Sequence, residues 1–321
     1  MTGADAGRKA PIGVAIGDPN GVGPEIAVKA ALALHASHGI RSLLIGERYI
    51  VDHCCDVLKL SRDERASFDV HDTGALSRDE WAPGKVRASA GAATVLYVRA
   101  ALELQRAGRI AAIGAAPHSE TAVNAAGIAF SGYSGLLADL TGTPRDRVFL
   151  MLEAQGLRVI HVTLHERVVD AIGRMTPALV EAAAQAARDT LRLLGVAAPR
   201  LCVLGINPHA GEAGLFGDDD ERITRPAVAA LRQRGWEVDG PIGADLALAE
   251  RKHDAYVAML HDQGHIAVKM LSPKGATAIV AGLPLLFASV GHGAAFDIAG
   301  QGKADASAMT ATLAMLAEAA A

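Results

Sequence analysis

The stretch 11-PIGVAIGDPNGVGPEIAVKAALAL-34 sets a strand, a turn and a helix in that order. Pro11 to Ile16 is a short apolar run that reads as a buried strand. Pro24 to Leu34 reads as a helix, and Pro24 fits its first turn, where the N–H it lacks has no partner to lose. Between them lies Gly17-Asp18-Pro19-Asn20-Gly21-Val22-Gly23-Pro24-Glu25. Its glycines would let backbone approach a ligand, and a helix N-terminus attracts an anion. It is not a GxGxxG fingerprint, because position 26 is Ile. An ordinary tight turn explains it equally well.

The same alternation continues outward. Strands are expected at Leu43–Ile45, Ile110–Ile113, Val148–Leu152, Leu157–Leu164, Leu201–Ile206 and Ala255–Leu260. Helices are expected over Ala90–Ala107 with Ser89 as N-cap, and over Pro177–Leu194, Arg225–Arg234 and Ala306–Glu318. Strands alternating with helices predict an α/β fold with largely parallel sheets. No linker and no fixed-period repeat is visible. About 150 residues per domain suggests two domains in 321 residues, built from interwoven segments. In such folds ligands sit beyond strand C-termini or between domains.

Apolar residues make up 50% of the chain and aromatic ones only 4%, so the core is aliphatic and Ala-rich. The net charge of −4 and the absence of a dense Lys/Arg run argue against nucleic-acid binding. Cys54, Cys55 and Cys202 form neither a disulfide framework nor a CxxC cage, which fits a reducing cytoplasm. Met1 to Lys9 has no apolar core of a secretory signal. Gly275 to Phe296 has no charged residue and is long enough to suggest a membrane span. Gly282, Pro284 and Gly291 interrupt it, so two buried strands around a Gly282-Leu283-Pro284 turn are expected and no membrane partner.

Three histidines follow strand-like runs: His165, His209 and His261. Three neutral imidazoles can hold a divalent metal and leave a position open for substrate. Each could equally be an ordinary hydrogen-bonded or exposed histidine. Asn207-Pro208 favours extended backbone before His209. His161 and His265 read as supporting polar groups, and His35, His38, His53 and His71 as surface residues. The small-residue loop 291-GHGAAFDIAGQG-302 would allow close approach of a flat ligand, or could be a plain turn before the last helix. Pro117-His118-Ser119-Glu120-Thr121 and the loop 127–134 offer groups for a polar substrate, or loop caps.

At GDPNGVGPE (17–25), NPHAGE (207–212), GPIGAD (240–245), HDQGHIAVK (261–269) and GHGAAFDIAGQGKAD (291–305) the chain resembles the 4-hydroxythreonine-4-phosphate dehydrogenase family. The last stretch is also similar to the nucleotide-binding loop of isopropylmalate and isocitrate dehydrogenases. The resemblance implies two α/β/α domains with an active-site cleft between them, here 1–130 plus 280–321 and 131–279. It implies NAD(P)-dependent oxidation of a secondary alcohol followed by decarboxylation. It also implies a divalent metal, often zinc, on His165, His209 and His261, and a homodimer with active sites at the interface.

The departures point to a branch of that family. Pyridoxine-pathway members usually have Gly-His-Thr-Glu where this chain has Gly132-Tyr133-Ser134-Gly135, and Asp-His-Gly where it has Gly291-His292-Gly293. They carry an Asn and an Arg where it has Ala278 and Phe287, which cannot replace those phosphate donors. Stretches 117–138, 148–168, 251–271 and 289–300 are similar to the terephthalate dihydrodiol dehydrogenase branch, acting on 1,2-dihydroxy-3,5-cyclohexadiene-1,4-dicarboxylate. Oxidation beside a carboxylate-bearing carbon gives a β-keto acid, and loss of CO₂ gives protocatechuate. Phe287 and Ala278 are expected beside the ring of such a substrate.

The roles implied are these. His165, His209 and His261 hold metal. Lys269 pairs with a substrate carboxylate or relays a proton, and Asp245 and Asp262 orient ligands or accept the alcohol proton. His118, Tyr133 and Ser134 contact substrate. His292, Gly293, Asp297 and Gly300 line the dinucleotide site. A metal-dependent hydrolase could use the same histidines, but would not need the 291–302 loop.

Overall fold

A computed structural model describes residues 10–273 and 275–320. The expectation for Met1 to Lys9 lies outside them. In chain order the elements are β1 (Ile12–Ala15), α1 (Gly23–His38), β2 (Ser42–Gly46), α2 (Arg48–Val57), α3 (Arg62–Arg65), β3 (Phe68–Asp72), α4 (Ala88–Arg106), β4 (Ile113–Ala115) and α5 (Glu120–Ala125). Then follow α6 (Tyr133–Thr141), β5 (Phe149–Ala154), β6 (Leu157–His161), α7 (Val168–Arg174), α8 (Pro177–Leu193) and β7 (Leu201–Leu204). The chain closes with α9 (Arg225–Gln233), β8 (Val238–Ile242), α10 (Ala244–Glu250), β9 (Ala255–Ala258), α11 (His261–Leu271), β10 (Thr277–Ala281), β11 (Phe287–Val290) and α12 (Ser307–Ala319).

Two compact units result: one runs to Gly132 and resumes at Phe287, and the other is Tyr133–Leu286. In the first, strands run β3-β2-β1-β4-β11, every pair parallel. Small residues bring helices close to this sheet. Ala27, Ala30 and Ala31 of α1 are fully buried, and a Cβ on Gly114 would meet Leu313 of α12 at 2.6 Å. In the second unit the order is β10-β5-β6-β9-β7-β8. The pairs β10–β5 and β5–β6 are antiparallel, and the others parallel. Leu152, Val159, Cys202, Leu204, Tyr256 and Val268 form part of its core.

The charge-free stretch is two strands joined at Gly282-Leu283-Pro284, as its interruptions predict. Among the described residues no helix is long and apolar enough to cross a membrane. Three readings need correction. Arg87, not Ser89, is the N-cap of α4. The run at Ile110 becomes strand only from Ile113. The strand through His161 stops there, so His165 stands in the following turn rather than at a strand end.

Candidate metal and cofactor sites

In the second unit β6, β9 and β7 are adjacent and parallel, and His165, His261 and His209 follow them in that order across the sheet. C-terminal ends of neighbouring parallel strands are where an α/β sheet collects functional side chains. Two tethers join the ends of β6 and β9. Val162 N–H donates to the Ala258 carbonyl at 2.8 Å, and buried Thr163 donates its hydroxyl to the Met259 carbonyl at 2.6 Å. His165 and His261 are thereby neighbours, with ring centroids 5.5 Å apart. Together with Leu164, Val168, Ala171, Leu260 and Asp262 they line a recess of about 390 Å³.

The motif HDQGH opens α11, and each residue in it has a task. His261 Nδ1 donates to the Asp262 carboxylate at 2.7 Å, since a carboxylate can only accept. That leaves His261 Nε2 with its lone pair. Gln263 Oε1 accepts from Met259 and Leu260 N–H, while its amide nitrogen donates to the Gly205 carbonyl at the end of β7. Gly264 makes room: a Cβ there would stand 2.3 Å from His161 Nε2. His265 meets His161 at 3.1 Å and stacks on His261. Burial pushes His161 down to about 3 and His265 to about 4, so both are neutral at pH 7. Lys269, one turn beyond His265, is partly buried, and desolvation lowers its pKa.

His209 stands on a different support. Asn207 is extended, as the following proline requires. His209, Ala210, Gly211, Glu212 and Ala213 then all have positive φ, between 40° and 79°. Left-handed backbone costs about 1–2 kcal/mol per non-glycine residue. Asp220, fully buried, offsets this from below by accepting from Ile206 and Asn207 N–H and from the Thr224 hydroxyl. His209 contacts Glu212 at 3.0 Å and its ring meets Phe216 edge-on. Exposed Asp245, in the first turn of α10, lies over Gly243, which faces the His209 backbone.

The donor chemistry of His165 and His261 suits a divalent ion. Two imidazoles sharing one tetrahedral ion at about 2.0–2.1 Å place their ring centres about 5 Å apart. Among the described residues, however, no three His, Cys, Asp or Glu side chains gather in metal-binding geometry. Thus His165 and His261 form a pair, and His209 is not grouped with them.

In the first unit, GDPNGVGPE is mainly an architectural hub. Gly17 has φ +72°, and a Cβ there would lie 2.3 Å from the Pro117 carbonyl. Asn20 accepts from Ala82 N–H and donates to the Lys85 carbonyl. Buried Glu25 accepts from Gly302 and Ala304 N–H and pairs with Lys29 at 2.8 Å. Val22 N–H donates to the Ala294 carbonyl, so this turn and the 291–305 loop are knitted together. Asp18 Oδ1 accepts from Asn20 N–H, Oδ2 has no hydrogen-bond partner among the described residues, and burial raises the carboxyl to about 6.

In that loop His292 and Gly293 are exposed, and a Cβ on Gly293 would meet nothing within 4 Å among the described residues. Asp297 is exposed on a single 3₁₀ turn, and Gly300 has φ +72°. His118 packs edge-on against Phe130 at 4.8 Å, and burial lowers it to about 4. Ser119 caps α5, and Asn124 closes the loop to Phe130, so the capping reading holds for this stretch. Tyr133 is buried at the start of α6, with partly exposed Ser134 beside it. Phe287 is fully buried in β11, which corrects the expectation that its ring lies against substrate; Ala278 is partly buried against the core of the second unit. What sequence reading missed is α11 itself, and with it the face shared by His261, His265 and Lys269. Their spacing of four residues was the available signal.

The chain is 48% identical over 307 residues to a 1,2-dihydroxy-3,5-cyclohexadiene-1,4-dicarboxylate dehydrogenase of Comamonas sp, covering 95% of this chain and 96% of that protein. A crystal structure of a terephthalate 1,2-cis-dihydrodiol dehydrogenase from Burkholderia xenovorans LB400 is 43% identical, with TM-score 0.73, over 96% of this chain and 98% of that one. A 4-hydroxythreonine-4-phosphate dehydrogenase from Klebsiella pneumoniae is 36% identical, with TM-score 0.86, over 98% and 100%. Residues 33–316 match the family described as pyridoxal phosphate biosynthetic protein PdxA, and the chain belongs to that family.

Proposed function

We propose that this protein is the dehydrogenase that oxidises and decarboxylates terephthalate cis-dihydrodiol to protocatechuate and CO₂. The observation that carries this reading is the 48% identity to the Comamonas dicarboxylate diol dehydrogenase along nearly the whole of both chains.

The substrate carries a hydroxyl and a carboxylate on one ring carbon and a second hydroxyl on its neighbour. Hydride leaves the neighbouring carbon for nicotinamide, and the ketone formed lies β to the carboxylate. Loss of CO₂ then yields an enol that completes the aromatic ring. A divalent metal, zinc in this reading, would supply Lewis-acid stabilisation of negative charge on the diol oxygens when held by His165, His209 and His261. Asp262 fixes the tautomer of His261 and keeps its Nε2 available. Leu164, Val168, Ala171 and Leu260 give the recess an apolar wall suited to a ring. Lys269, with its lowered pKa, pairs with a carboxylate or hands on a proton. Asp245, which lies beside the His209 loop, accepts the alcohol proton in this reading. His118, Tyr133 and Ser134 orient the substrate, His118 and Tyr133 from largely buried positions. Gly293 and Gly300 leave space for NAD or NADP, and His292 and Asp297 offer it polar contacts. The working form is a cytoplasmic homodimer.

Reduced-nicotinamide formation by the purified protein with NAD and zinc tests this. Terephthalate cis-dihydrodiol and 4-phosphohydroxythreonine are offered in parallel, with a chelator control. Turnover of the diol alone, lost with chelator, is expected. Turnover of the phosphate ester alone would assign the protein to vitamin synthesis.

A further inference from the structure

We propose that His265 is a positioning residue: its ring, anchored through His161 to the Leu150 carbonyl, lies flat on His261 and holds that ring in the plane that keeps its Nδ1 on the Asp262 carboxylate. The anchor begins at a group that can only accept. His161 Nδ1 is 3.1 Å from the Leu150 carbonyl, so it donates there. His161 is 2% exposed, and its remaining nitrogen, Nε2, meets His265 Nδ1 at 3.1 Å. With one ring proton already committed, a neutral His161 accepts at Nε2, and His265 Nδ1 is the donor. A chain of three groups thus holds the plane of His265.

That plane is nearly parallel to His261, with centroids 3.7 Å apart and 15° between the rings. The stack distinguishes support from ligation. Rings sharing a tetrahedral ion need centres about 5 Å apart and converging nitrogens. His165 and His261 have that spacing; His261 and His265 do not. Asp262 holds one edge of His261 while His265 covers a face. Gly264 is the condition for all of this, because any side chain there would enter the space of the His161 ring.

The metal arm of the test rests on reading His261 as a ligand; the tautomer arm does not. Histidine ring nitrogens are followed by ¹⁵N–¹H NMR in the metal-free protein, alongside zinc titration by competition with a chromogenic chelator. In the wild type His261 is expected as a single Nδ1–H tautomer. His265→Ala should give a mixed or exchange-broadened His261 and weaken zinc binding by about tenfold or more, the usual effect of losing a supporting partner. His265→Phe keeps a flat ring but loses the bond to His161, and should restore only part of both. A His265→Ala protein with the wild-type His261 spectrum overturns the proposal. If the wild type binds no zinc yet the His261 tautomer still mixes on substitution, positioning stands and the ligand role of His261 falls.

Discussion

At Asp18 and Asp220, two buried carboxylates have opposite surroundings. Asp220 has each oxygen occupied by donors, so its negative charge is used to hold strained backbone. Replacing it by Ala leaves two N–H groups without their acceptor and should destabilise the protein by about 2–4 kcal/mol, measured by denaturant unfolding. The left-handed turn bearing His209 should loosen with it, so zinc affinity should fall further in Asp220→Ala than in Asp220→Asn. Asp18 has an oxygen with no donor among the described residues, and its carboxyl is raised to about 6. The folded protein therefore holds this proton more tightly than the unfolded chain does. Its contribution is most favourable below the ordinary value of 3.8 and declines as pH rises to about 6. A shift of that size corresponds to about 3 kcal/mol at most. Asp18→Asn should remove this slope, and unfolding measured between pH 4 and pH 7 should then vary less than in the wild type.

Helix α11 shows what a sequence yields and what it withholds. Strand-like apolar runs before each histidine were legible, because burial in a parallel sheet leaves an uninterrupted aliphatic signature. The helix was not, because its first turn is spent on His261, Asp262, Gln263 and Gly264 rather than on apolar periodicity. Nor was the left-handed run at 209–213 legible, since only Gly211 among those residues signals positive φ. The sequence of the turn at 17–25 fits a ligand loop or a plain turn, and its side chains are largely committed to the fold, Glu25 above all. Gly264→Ala should cost about 1–3 kcal/mol, because its new Cβ meets a buried ring and Val159 Cγ1 at 2.6 Å with no room to retreat. It should also broaden the His161 and His265 resonances, which a surface alanine substitution on α11, such as Ile266→Ala, should not do.

Over the whole molecule the two proposed ligands fall on different units, which makes their binding separable. The candidate metal residues lie in Tyr133–Leu286, while His292, Gly293, Asp297 and Gly300 lie in the unit that resumes at Phe287. A ligand that binds only the folded state raises stability by about 2.7 kcal/mol at a hundred times its dissociation constant. In the wild type, zinc and NAD should each raise the thermal midpoint. His165→Ala removes an exposed side chain, so its unliganded midpoint should hold while the zinc shift disappears and the NAD shift persists. Gly293→Leu should do the reverse. Its new side chain enters space that the protein leaves open, so the fold tolerates it, but a dinucleotide lying there is displaced. An NAD affinity lowered at least about tenfold, more than 1.4 kcal/mol, is the expected result. Should Gly293→Leu bind NAD as tightly as the wild type, the cofactor does not pass over this loop. Should His165→Ala lose both shifts, the two ligands are coupled and the division of labour between the units is wrong.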